Sequence, residues 1–251
     1  MSRRRLSRRL VPLLPAALLL VVLAGSARAA YQSTADVNHS AFNPPCDGDV
    51  NPFTPKMLDA AGAAYRAMGY TGAEFGGAQF TRAHVLARTV NDWGYYVHSH
   101  GDYYWHSGDA RRYTGFREDS GDCAQSIVYS KDIKAKRAGR ASNLIFVSTC
   151  HASDSNTTMP GAFAIEKTKT LWPYSQGPEF YIGYVGVQWD SDEWVFEQRY
   201  WNSLTGGKSV GDAFKVAAAG AFNAGFKADW WGTYIWSGRA GPWDPQCPSC
   251  Q

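Results

Sequence analysis

The sequence predicts an α/β fold in which a mainly parallel sheet carries helices on both faces. Short, strongly apolar runs such as Leu144-Ile145-Phe146-Val147 alternate along the chain with stretches of helical spacing. A strand that is apolar on both sides suits a parallel sheet covered from both sides. No internal repeat, low-complexity tract or linker rich in Gly, Ser or Pro divides residues 30–251, so one domain is the economical reading.

The elements follow in order. Residues 30–53 are polar and turn-rich, with one short strand near Tyr31 to Val37. Thr54-Pro55 then supplies an N-cap and a first-turn proline, Met57, Ala61, Ala64 and Met68 recur at helical spacing, and Gly69 is the stop. Tyr70 to Phe75 reads as a strand, Thr81 as the cap of a helix running to about Val90, and Trp93 to Val97 as a buried strand. An irregular, charged segment follows. Ser126 to Tyr129 and Asn143 to Thr149 are further strands, as is Phe180 to Val187. Glu193 to Leu204 is a helix stopped at Gly206-Gly207, and Ser209-Val210-Gly211-Asp212 opens a last helix through about Phe222. Beyond it lies a tail with tryptophans at 230, 231 and 236 and two cysteines, expected to pack back on the body.

Residues 1–29 read as a secretion signal. Arg3, Arg4, Arg5, Arg8 and Arg9 precede an apolar stretch from Leu10 to Ala24, and Ala27-Arg28-Ala29 is a small-residue cleavage pattern. Pro12 and Pro15 interrupt the apolar run, which is shorter than the roughly 20 residues of a membrane span. The expectation is an extracytoplasmic protein with no stable membrane span once the signal is removed. The arginines also allow a twin-arginine route. Of the 25 basic residues six lie in this leader, which holds no acid, so the remainder carries 19 basic against 22 acidic residues, a net charge of about −3. The overall pI near 8.5 therefore says nothing in favour of nucleic acid, and no nucleic-acid partner is expected.

Five cysteines follow the leader: Cys46, Cys123, Cys150, Cys247 and Cys250. An odd number in an exported chain leaves one thiol unpaired. If that thiol is Cys150, the other four can pair in three ways. Cys247-Pro248-Ser249-Cys250 has redox spacing, but no helix follows it to lower a thiol pKa, so structural disulfides are the reading there.

Two strand ends deliver reactive side chains directly after apolar runs: Tyr96-Val97-His98-Ser99-His100-Gly101-Asp102 and Phe146-Val147-Ser148-Thr149-Cys150-His151. A thiol needs a base to become thiolate near neutral pH, and an imidazole at a neighbouring strand end can serve. Acyl transfer also needs backbone N–H donors for an oxyanion, and the residue after the histidine and the cysteine itself can supply them. Gly101 would let substrate approach the backbone closely.

A strand ending in His-Gly about 50 residues before a strand ending in Cys resembles the caspase-like cysteine peptidases. Ser99-His100-Gly101-Asp102 resembles their Ser-His-Gly-acid segment, and Phe180-Tyr181-Ile182-Gly183-Tyr184 with Lys208-Ser209-Val210-Gly211-Asp212-Ala213 resembles the bacterial caspase-like and CHAT-type branches. The likeness spans roughly residues 54–225. It implies a caspase-like three-layer sandwich acting on a protein or peptide substrate. It also implies Cys150 as nucleophile, His100 as acid and base, and the N–H groups of Gly101 and Cys150 as the oxyanion hole, with no metal or organic cofactor required. The Gln-Ala-Cys-x-Gly of caspases is replaced by Ser148-Thr149-Cys150-His151-Ala152, so cleavage after Asp is not implied. Asp154, Trp189 and Asp190 are candidates for the substrate pocket, where an acid would favour a basic side chain.

Two other readings use the same residues. His98-Ser99-His100-Gly101-Asp102 fits the opening of an H-x-H-x-D-H metal motif, though its sixth position is Tyr103. Zinc on His98, His100 and His151 with a bound water as nucleophile is the corresponding chemistry. A caspase-like domain that binds without catalysing is the other. His39, His84 and His106 read as surface residues.

Overall fold

Apolar strands that bury both faces need partners on either side, and the computed structural model supplies them. It describes residues 32–38, 52–119, 126–138, 142–155, 158–165, 180–223 and 225–232, all within the unit Tyr31–Gln251. In chain order the elements begin with β1 (Gln32–Val37), α1 (Thr54–Ala67), β2 (Thr71–Gly76), α2 (Arg82–Asn91) and β3 (Gly94–His98). β4 (Gly101–Trp105), β5 (Arg112–Arg117), β6 (Ile127–Tyr129) and α3 (Ser130–Arg137) come next. β7 (Leu144–Ser148), α4 (Met159–Ala162), β8 (Phe180–Tyr184), α5 (Asp190–Thr205), α6 (Val210–Ala221) and β9 (Ala228–Gly232) complete the set.

The central sheet runs β2-β1-β3-β7-β8-β9, parallel except for β9, which pairs antiparallel with β8. The predicted α/β class with a mainly parallel sheet is therefore the observed one. Period-two alternation sorts its side chains onto two cores. Tyr96, Phe146 and Ile182 face α1, α5 and α6, where they meet Tyr65, Phe196, Trp201 and Phe214. Tyr95, Ile145 and Tyr181 face the other way and pack with Val85, Ile133, Met159 and Phe163. Burying one such large side chain is worth about 1.5–3 kcal/mol, so each face is a substantial anchor.

The helix signals hold to within a few residues. Phe53 rather than Thr54 occupies the N-cap of α1, with Pro55 in its first turn, and Gly69 lies just beyond the helix at φ 93°. The Thr81 hydroxyl accepts from the His84 N–H at 3.3 Å, and the Ser209 hydroxyl from the Asp212 N–H at 3.1 Å, both as N-caps.

Two expectations change, and the tail after α6 opens with a strand. The segment after His100, read as irregular, forms an antiparallel sheet β4-β5-β6, and β6 belongs to it rather than to the central sheet. The backbone at 230 and 231 is part of edge strand β9. His84 is not a surface residue: its Nε2 sits 3.3 Å from Asp36 Oδ1 and its ring lies against Phe75. No described helix is long and apolar enough to cross a membrane. The leader, Cys46, Cys123, Cys247, Cys250 and Trp236 lie outside the described residues.

Candidate active site

The carboxyl ends of parallel strands collect ligands in α/β sheets, and here they bring the two predicted segments together. β3 and β7 are neighbours in a register that pairs His98 with Ser148. The ladder continues past them, because the Ser99 N–H donates to the Ser148 carbonyl at 3.2 Å. His100 and Cys150 thus leave adjacent strands at the same level. His100 is also where the chain passes into the small sheet, its carbonyl accepting from the Arg117 N–H at 3.0 Å. Gly101 meets a need beyond the predicted one. A β-carbon there would lie 2.4 Å from the Cys150 carbonyl oxygen and 2.6 Å from Thr149 Oγ1, so the glycine permits close approach of the Cys150 backbone rather than of substrate alone.

After Cys150 the chain turns sharply. His151 takes a left-handed conformation, φ 60°, which is costly for a residue with a side chain. Its N–H donates to Gly186 at 2.9 Å, and the Ser153 N–H to Tyr184 at 2.8 Å, tying this turn to the end of β8.

Cys150 is a free thiol and partly buried. Its sulfur accepts the Gln188 N–H at 3.3 Å and faces the Gln188 carbonyl at 3.8 Å. Burial, then the Glu193 charge, push its pKa up to about 11; the Gln188 N–H pulls the other way, and Asp190 and Asp102 add to the rise. The resting group is a thiol, and any thiolate chemistry requires a base at hand.

The candidate pocket residues occupy three different settings. Asp154 is at the rim, where its carboxylate accepts from the Gly186 N–H at 2.7 Å, His151 Nδ1 at 2.7 Å and the Tyr103 hydroxyl at 3.2 Å. Burial alone would raise its pKa, but the Gly186 N–H and the His151 imidazole outweigh that and hold it below the usual carboxylate value. Trp189 is 74% exposed and Val187 65%, flanking the buried Gln188 that holds the sulfur. Asp190 opens α5 and sits with His98 and Glu193. A cavity of about 290 Å³ lies beside β4 and β5, with Tyr103, Arg111, Arg112, Lys131 and Lys134 in its wall.

A polar network that the sequence reading missed lies under the strand ends. Glu197 of α5 is buried and accepts from the Ser148 hydroxyl at 2.5 Å, Tyr96 at 2.8 Å, Tyr184 at 2.9 Å and the Trp201 indole N–H at 3.0 Å. Having given its hydrogen to Glu197, Ser148 accepts from His98 Nδ1 at 3.0 Å. One turn earlier, Glu193 Oε2 lies 3.7 Å from His98 Nδ1, their side chains 4% and 1% exposed. Burial and the carboxylates of Asp190, Glu197 and Asp192 hold Glu193 well above the ordinary glutamate range. A signal was present: Glu193, Phe196, Glu197, Tyr200, Trp201 and Leu204 share one helical stripe, so two acids sit on an apolar face.

The three-histidine zinc arrangement does not form. α5 draws the His98 ring toward Ser148 and Glu193, while the left-handed turn at His151 carries that ring out to Asp154 and Tyr103. Among the described residues, the side chains that could jointly hold a metal are His98, Asp190 and Glu193.

No family model matches the chain, and no curated protein does. Among solved structures it is similar to protein GSU0716 from Geobacter sulfurreducens, at TM-score 0.51 and 11% identity, over 86% of this chain and 96% of that one. It is also similar to caspase-1 from Spodoptera frugiperda, at TM-score 0.47 and 11% identity, over 80% and 86% of the two chains. The Drosophila initiator caspase Dronc aligns at TM-score 0.44 and 10% identity, over 82% and 84%. At these identities the likeness is one of fold.

Proposed function

We propose that this chain is an exported cysteine hydrolase of the caspase-like peptidase type, with Cys150 as nucleophile and His100 as acid and base. The observation that supports it is the meeting of Gly101 with the Cys150 backbone across the ends of β3 and β7, which sets the histidine and the sulfur on adjacent strand ends. The leader at residues 1–29 and the Ser99-His100-Gly101-Asp102 segment add to it.

In this reading His100 takes the thiol proton as the sulfur attacks a peptide carbonyl carbon. The N–H groups of Gly101 and Cys150 receive the oxyanion. The C–N bond breaks as His100 returns the proton to the leaving amine, and a thioester remains. Water, deprotonated by His100, then hydrolyses it and frees Cys150. A thiol whose pKa stands near 11 suits transfer concerted with attack better than a standing thiolate.

Trp189 and Val187 form an apolar shelf for a substrate side chain beside the sulfur. Asp154 acts by tying its own turn to β4 and to the loop after β8, and Asp190 faces inward, so a basic substrate residue has no spare acid among them. The cationic cavity beside Tyr103 would take an acidic side chain farther along the substrate.

One observation favours a non-catalytic binding module instead: the Cys150 sulfur is held by the Gln188 backbone and disfavoured as thiolate. Treatment with a peptidyl acyloxymethyl ketone library, read by mass spectrometry, separates the two. The hydrolase reading gives one adduct at Cys150 that requires His100. A binding module gives none.

A further inference from the structure

The geometry points to a divalent-cation site formed by His98, Asp190 and Glu193, one layer beneath the nucleophile. One ring nitrogen of His98 and one carboxylate oxygen from each acid lie within 4.8 Å of one another. That span is about twice a metal–ligand bond of about 2.0–2.4 Å, so a single ion can reach all three with small side-chain adjustments.

The comparison of Glu193 with Glu197 carries the inference further. Both are buried on the same face of α5, one turn apart. Glu197 accepts four hydrogen bonds, which is how a buried carboxylate is ordinarily satisfied. Glu193 accepts no hydrogen bond from a described residue; its carboxylate makes a long ion-pair contact with the His98 imidazole, at 3.7 Å, and faces the Asp190 carboxylate. A buried acid with no donor, crowded by a second carboxylate at Asp190, wants a positive charge between them. The helix N-terminus accounts for acids at Asp190 and Asp192. It does not account for Glu193 turning inward.

The donor set selects the class of ion. One imidazole with two carboxylates suits a borderline divalent transition cation of the Mn²⁺ to Zn²⁺ type. The Ser148 hydroxyl bonded to His98 Nδ1 holds the ring, so an ion binds at Nε2, or at Nδ1 in place of that hydrogen bond. The site stands apart from the peptidase reading, since no part of it requires Cys150 to react.

The test is Mn²⁺ binding to the untagged protein, followed by electron paramagnetic resonance and by thermal unfolding. One ion per chain is expected for wild type and for Cys150→Ala, with a higher Tm in its presence. Glu193→Gln and Asp190→Asn should each weaken binding at least tenfold and lose the Tm increase. Asp190 is only partly buried at the start of α5, so its variant tests the site even if Glu193→Gln folds poorly. No binding by wild type would overturn the proposal and leave Glu193 as a protonated acid. So would binding that survives Asp190→Asn, or binding lost in Cys150→Ala, which would make the sulfur the ligand.

Discussion

Gly101 and Cys150 touch backbone to backbone: a β-carbon on Gly101 would stand 2.4 Å from the Cys150 carbonyl oxygen. Only a residue without a side chain lets the two backbones come this close. This couples the turn out of β3 to the turn out of β7, next to the His100 backbone.

The first prediction follows from that contact. Gly101→Ala forces the Thr149 and Cys150 backbone aside, costing about 1–3 kcal/mol as overpacking does. Urea unfolding should show this loss, and any Cys150-dependent turnover should fall more than stability alone explains.

The thiol predicts a pH dependence. Its folded pKa is up to about 11, against about 8.5 for an unperturbed cysteine. Between those values the folded state keeps a proton that the unfolded state has lost, so the stability this group contributes is complete below about pH 8.5 and is lost as pH rises toward 11. Denaturant midpoints measured from pH 8 to 11 should fall with pH in wild type and fall less steeply in Cys150→Ala. Iodoacetamide should label Cys150 slowly at pH 7 and much faster at pH 10.

The buried hub predicts a large stability effect. Glu197→Ala leaves the Ser148, Tyr96, Tyr184 and Trp201 donors without their acceptor in the core beneath the strand ends. Unsatisfied buried donors cost about 1–3 kcal/mol each when no water reaches them, so a loss of at least about 3 kcal/mol is expected in equilibrium unfolding.

Much of this was legible in the sequence. Leu144 to Val147 and Tyr95 to Val97 are apolar on both faces, and that pattern forces central parallel strands. Thr81 and Ser209 announced their helices because capping is local chemistry. The β4-β5-β6 sheet was not legible: Gly101 to Arg117 mixes Tyr, Arg and Asp with partly exposed faces, and its pairing is set by register rather than by an apolar run. In the site, the spacing of His100 and Cys150 was visible, and the structure puts the two residues just past the ends of the neighbouring strands β3 and β7. The settings of Asp154 and Asp190 were not legible, since the direction of each side chain is decided by the turn at His151 and by the first turn of α5. Glu193 was overlooked because acids near a helix start usually face water.

Trp189 predicts a separation of binding from stability. With 74% of its surface exposed, Trp189→Ala should leave the unfolding midpoint within about 0.5 kcal/mol of wild type. If the indole forms the substrate shelf, KM for cleaved peptides should rise several-fold with little change in kcat.

The most direct measurement is hydrolysis of a mixed peptide library by wild type, Cys150→Ala and His100→Ala, prepared alike and shown to be folded. The account predicts cleavage by wild type that disappears in both variants. Cleavage persisting in Cys150→Ala would contradict it, as would a wild-type protein that alkylates at Cys150 yet cuts no peptide.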